Sequence, residues 1–142
     1  MAYQIKKTSR ITEDIELLGE SGNVEKILHV EINPDGIMNN YRKAEIQLLK
    51  TQTAAREGKS AEAVEEYGKA VTALFETVFG TETTAELLTY FENKHTEMLI
   101  QLMPFITDVV RPAVAEAIKS QKSRLANNMN FSRRQKRRLG LK

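Results

Sequence analysis

The chain has 142 residues, enough for one ordinary domain or a domain with a tail, and its 41% hydrophobic and 28% charged composition is that of a folded soluble protein. It contains no cysteine, which excludes disulfides, thiolate nucleophiles and thiolate metal sites. The net charge of +2 hides an asymmetry: the segment Lys119 to Lys142 carries nine Lys or Arg and no Asp or Glu, leaving 12 basic against 19 acidic residues ahead of it, a balance of −7.

At the start, Lys6, Lys7 and Arg10 are followed by a mixed polar stretch, not by the apolar core of a signal sequence. No uninterrupted apolar run approaches the roughly 18 residues of a membrane span, so a soluble, membrane-free protein is expected. Ile11, Ile15 and Leu17 share one parity, with Thr12, Asp14 and Glu16 on the other. After the turn-forming Gly19-Glu20-Ser21-Gly22-Asn23, a second run puts Leu28, Val30 and Ile32 on one face and His29 and Glu31 on the opposite one. Two period-2 runs about a glycine-containing turn predict a β-hairpin. Tyr3 and Ile5 offer a short additional strand.

Asn33-Pro34-Asp35-Gly36 reads as the turn that ends the strands, because proline removes a ladder donor and Asp-Gly favours turns. The period then becomes helical. Ile37, Tyr41, Ala44, Leu48 and Ala55 define a first helix to about Glu57, with Gly58 as its stop. Ser60 starts a second helix, whose stripe of Val64, Tyr67, Val71, Leu74, Phe75 and Val78 ends at Gly80. Thr81 is placed as the cap of a short third helix bearing Ala85, Leu87, Leu88 and Phe91. A longer helical pattern from about Thr96 to Leu125 is densely apolar over Met98, Leu99, Leu102, Phe105, Ile106, Val109 and Val110. Pro104 and Pro112 each delete one hydrogen bond within it, so kinks or breaks are expected at both. Residues 127–142 show no apolar period and are expected as a flexible tail or a frayed extension of the last helix. The expected architecture is α+β and mainly α: a hairpin (1–33) packed on three to four helices (34–126), followed by a basic tail (127–142).

Catalytic constellations are missing. Neither His29, in the second strand, nor His95, in the polar connection before the long helix, stands in a motif that supplies a nucleophile and an orienting group. Glu13 with Asp14, and Glu65 with Glu66, are sequence neighbours whose side chains diverge, and they read as solvated charge. Glu31, Asn33, Asp35 and Gly36 match positions 1, 3, 5 and 6 of a calcium loop, but position 12 is Arg42, a cation where a bidentate carboxylate is needed. No glycine-rich phosphate cradle occurs. These readings point away from an enzyme, a cofactor and a metal.

The strongest electrostatic feature is Arg133, Arg134, Lys136, Arg137 and Arg138 within six residues. These five are the candidate partner-binding residues, for nucleic acid, for an acidic protein or for the chain's own acidic body, with a solubilising terminus as the plain alternative. Phe131 alone offers an aromatic for stacking. Tyr67, Phe75, Phe79, Phe91 and Phe105 are expected in the core. Any apolar surface beyond the needs of the core would serve a partner or self-association.

The order of features in the second half resembles a known family. Val78-Phe79-Gly80 closes an apolar helix, Tyr90-Phe91-Glu92 follows, then Met98-Leu99, Pro104-Phe105-Ile106, Val110 and Pro112, and the chain ends Arg137-Arg138-Leu139-Gly140-Leu141-Lys142. Over residues 74–142 this is similar to the tail assembly chaperones of long-tailed phages and prophages of Gram-positive bacteria. The resemblance implies a non-enzymatic role in the bacterial host cytoplasm. It implies binding to the tape measure protein, recruitment of tail tube subunits, and absence from the finished virion. Two other expectations stand beside it: a nucleic-acid-binding accessory protein acting through the tail, and a structural tail-completion or head-tail adaptor subunit.

Overall fold

A computed structural model describes residues 2–4, 10–58 and 60–138, with side chains of the last helix described as far as residue 127. Two strands, β1 (Ile11–Leu18) and β2 (Val24–Ile32), form an antiparallel hairpin. The register pairs Ile11 with Ile32, Ile15 with Leu28 and Leu17 with Lys26, then shifts between Leu17 and Leu18 so that Leu18 meets Val24. The shift leaves Glu25 as an extra residue on β2, a bulge of the kind that increases local twist. Alternation does what the sequence predicts: Leu17, Leu28, Val30 and Ile32 are buried, while His29 and Glu31 are exposed. The turn closes with Gly19 N–H donating to the Asn23 carbonyl at 2.8 Å, and Gly22 adopts φ +85°. Tyr3 lies outside the sheet, and Ile5, its proposed companion, lies outside the described residues.

Five helices follow: α1 (Pro34–Arg56), α2 (Ala61–Phe79), α3 (Thr81–Tyr90), α4 (His95–Phe105) and α5 (Arg111–Arg138). Together with the hairpin they give the expected α+β, mainly helical architecture. The expected turn at Asn33-Pro34-Asp35-Gly36 is corrected in one respect: Pro34, Asp35 and Gly36 are the first turn of α1. Proline fits there because the first amides of a helix have no intrahelical partner and its fixed φ is already helical, and Asp35 complements the positive end of the helix dipole. This places Glu31 and Ile32 at the strand end and residues 34–42 in a helix, with Asn33 as its N-cap residue. Gly58 (φ +63°) follows the end of α1, and Ser60 caps α2, its Oγ accepting from Ala63 N–H at 3.1 Å. Between α2 and α3, Gly80 adopts φ +85° and ψ 164°, a backbone conformation open essentially to glycine alone. Gly80 is therefore also the N-cap residue of α3, with Thr81 inside the helix and not capping it.

The two prolines do not break the long helix. The chain stays helical from His95 to Arg138, with a π-helical turn at Ile106–Val110 between α4 and α5. Arg111 N–H reaches back five residues to the Ile106 carbonyl. Pro104 and Pro112 each lack the amide that would complete the α-ladder, and the wider turn between them absorbs the mismatch in hydrogen-bond register. The tail expected over 127–142 continues α5 as far as Arg138; residues 139–142 lie outside the described residues.

The core lies where α1, α2 and the α4–α5 stretch pack together, roofed by the inner face of the hairpin. Phe75, Val71, Leu87, Met98 and Val110 are fully buried. Phe91 is also buried, while Tyr67, Phe79 and Phe105 are partly buried against this core. Phe79 stacks on Phe105 with centroids 5.8 Å apart, and Phe75 tilts against Phe79 at 5.6 Å. By length and composition the stretch His95–Asn127 could cross a membrane, which the sequence reading did not anticipate. Its Met98, Leu99, Leu102, Ile106, Val110 and Val114 are buried against the rest of the core.

Candidate functional site

The two histidines are kept apart by the fold. His29 and Asp14 face each other across the hairpin on its outer surface, Nδ1 to Oδ1 at 2.6 Å, with side chains 79% and 59% exposed. His95 opens α4 and packs near Gly68 of α2. It borders a shallow hollow of about 620 Å³ lined by Val64, Gly68, Lys69, Thr72 and Ala73, with Glu65 and Glu76 at its edge. Glu65 pairs with Lys69 at 3.8 Å, and the histidine–carboxylate pair at His29 is the single one among the described residues. No group of three or more His, Asp or Glu among the described residues could hold a metal ion.

A second polar cluster ties α1 to α5. Tyr41, 2% exposed, donates its hydroxyl to Glu45 Oε2 at 2.8 Å, and Arg111 donates Nε to the same oxygen at 3.1 Å. Burial first, and the neighbouring Glu45 carboxylate second, push the Tyr41 phenol up to about 12. The cluster is closed by Arg111 Nη2, which also lies 3.1 Å from Glu45 Oε2. It acts as a clamp between elements 66 residues apart in the chain.

More informative is the apolar surface that the fold leaves uncovered. A groove of about 600 Å³ runs between α1, α2 and α4, with Leu99, Met103 and Tyr67 on its floor and walls. Ile100 stands at its rim, 61% exposed, with Gln52, Thr107 and Asp108 supplying polar edges. Elsewhere Ile46 and Leu49 of α1 are 52% and 59% exposed, one helical turn apart. On the outer face of the hairpin, Leu18, Val24 and Ile27 gather near the turn. That end of the hairpin is tied down from inside, where Tyr90 donates its hydroxyl to the Leu18 carbonyl and Lys26 pairs with Glu86 at 3.2 Å. Helical periodicity singled out Tyr67 and Leu99 but not Ile46, Leu49, Ile100 or Met103, and it does not separate covered from uncovered positions: Leu99 and Ile100 are neighbours in one apolar run.

The predicted partner-binding residues Arg133, Arg134, Lys136, Arg137 and Arg138 fall in the last turns of α5. They are far along the helix from Val114 and Ala117, the last buried residues among its described side chains. The apolar groove lies on the helical body, and the five cationic positions lie at the C-terminal end of α5. An α+β, mainly helical protein with an open apolar groove on its helical body is the class these observations define. Compared with known proteins, the chain matches no family model, no curated protein and no solved structure.

Proposed function

We propose that the chain is a non-enzymatic assembly chaperone of a long-tailed phage or prophage. It would bind the tape measure protein and help recruit tail tube subunits by lending helix surface. The observation that carries this reading is the open groove between α1, α2 and α4, whose rim residue Ile100 remains mostly exposed. A long helical client with an unpaired apolar stripe needs a temporary partner offering a complementary apolar trough. A shallow trough suits a client that must later be released, because modest affinity per copy permits displacement. The family-like features support the same reading, since Val78-Phe79-Gly80, Met98-Leu99 and Pro104-Phe105-Ile106 belong to the elements that build or flank this groove.

The test is co-purification with a soluble segment of the neighbouring tape measure protein. Wild-type chain should retain it, and Ile100→Asp should lose it by at least tenfold while melting at an unchanged temperature, because a rim residue contributes little to the core. Absence of binding with both proteins soluble would refute the proposal, as would binding indifferent to Ile100→Asp. Mass spectrometry of purified particles distinguishes the structural-subunit alternative, which requires the chain to remain in the virion.

A further inference from the structure

We infer that the cationic helix spanning residues 119–138 is a nucleic-acid-binding arm that grips the phosphate backbone of a duplex without reading its sequence. Three observations converge on it. First, Ala117 is the last buried residue among the described side chains of α5, residues 121–127 are all exposed, and the helical backbone continues to Arg138. Eighteen residues beyond position 120 make a rod of about 27 Å. Second, eight Lys or Arg lie between 119 and 138, and no acidic residue follows Glu116. Lys119, Lys122 and Arg124 form no ion pair with the acidic body among the described residues, so these cations are not spent on folding back. Third, the cations are not confined to one face. At 100° per residue the eight register positions leave no sector wider than about 120° without a charge.

That distribution decides the class of partner. A helix lying on a membrane needs a continuous apolar face, and here Leu125 and Met129 share their side of the helix with Lys122, Arg133 and Lys136. A protein groove would call for the same kind of stripe. A duplex asks only for cations at phosphate spacing, and its major groove, about 12 Å wide, admits a helix of about 10–12 Å diameter. Single strands are the poorer fit, because Phe131 is the one aromatic in the arm and offers a single stacking platform. A lone helix of this length with like charges four residues apart, Arg133 with Arg137 and Arg134 with Arg138, is marginal in water, and neutralisation by phosphates would reinforce it. This inference is independent of the escort proposal and stands or falls by its own experiment.

The experiment measures fluorescence anisotropy of two unrelated 20-base-pair DNA duplexes titrated with the full chain at salt from 50 to 200 mM. About five phosphate contacts predict a log–log slope of roughly −4.5 and a loss of about 500-fold in affinity across that range, equal for both sequences. Replacing the five together (Arg133→Gln, Arg134→Gln, Lys136→Gln, Arg137→Gln, Arg138→Gln) should abolish binding at 50 mM salt with an unchanged melting temperature. The charge-preserving set Arg133→Lys, Arg134→Lys, Arg137→Lys and Arg138→Lys should retain it. No binding at 50 mM salt overturns the inference, as does binding that survives the glutamine set. Tighter capture by phosphatidylglycerol vesicles than by duplex overturns it in favour of a membrane. More than tenfold preference between the duplexes overturns the claim that sequence is not read.

Discussion

Replacing Tyr41 by Phe tests whether the clamp between α1 and α5 is built as described. The phenol is 2% exposed, donates to Glu45, and holds its proton up to about 12, against about 10 in an unfolded chain. Between those values the folded protein keeps a proton that the unfolded chain has released. Stability is therefore intact below pH 10 and falls as pH rises towards 12. With one pK unit worth about 1.4 kcal/mol, the two-unit shift costs about 1.3 kcal/mol between pH 9 and pH 11, and roughly twice that once pH exceeds 12. Urea unfolding of wild type and Tyr41→Phe at half-unit steps from pH 8 to 11 isolates this contribution, since every other titrating group is common to both. The difference in unfolding free energy should be flat to pH 9 and then move against wild type by about 1.3 kcal/mol. Difference absorbance at 295 nm should show the missing tyrosine as the late-titrating one. Parallel pH profiles for the two proteins would refute both the buried donor and the closed cluster.

Two further outcomes follow from the core. Phe75→Ala removes a fully buried ring that contacts Phe79, and should cost about 3–5 kcal/mol, a large share of the stability of a domain this size; a loss under about 1 kcal/mol in chemical denaturation would displace Phe75 from the centre of the core. Thr84 on α3 is 1% exposed and its hydroxyl has no hydrogen-bond partner among the described residues, so Thr84→Val should raise stability by about 1 kcal/mol, and a lower melting temperature for the variant would show that the hydroxyl is bonded after all.

Much of the backbone plan could be read from local chemistry. The change from period 2 to period 3.6 after Ile32, the glycines at 58 and 80, and the cap at Ser60 are each decided within a few residues of chain, where sterics and unsatisfied amides act. The same local rules misplaced the start of α1, because Asn-Pro-Asp-Gly satisfies a turn and a helical first turn equally well until its neighbours choose. The sequence places His29 in a strand, as found, and His95 in a polar connection, whereas it is the first residue of α4. The run Arg133, Arg134, Lys136, Arg137 and Arg138 was legible from charge alone, because a cationic run needs no tertiary contact to be cationic.

What only the packed molecule decided was which apolar residues remain in water. A stripe such as Met98 to Ile106 states how much surface wants cover, but cover depends on the number and angle of neighbouring helices, and here it reaches Leu99 and stops short of Ile100. The meeting of Tyr41, Glu45 and Arg111 likewise depends on how α5 lies along α1, and the π-helical turn on how two prolines share one core-packed helix. Composition and periodicity determined the elements and the charge of the arm. Long-range packing determined the groove, since burial is a property of neighbours and not of the residue that is buried.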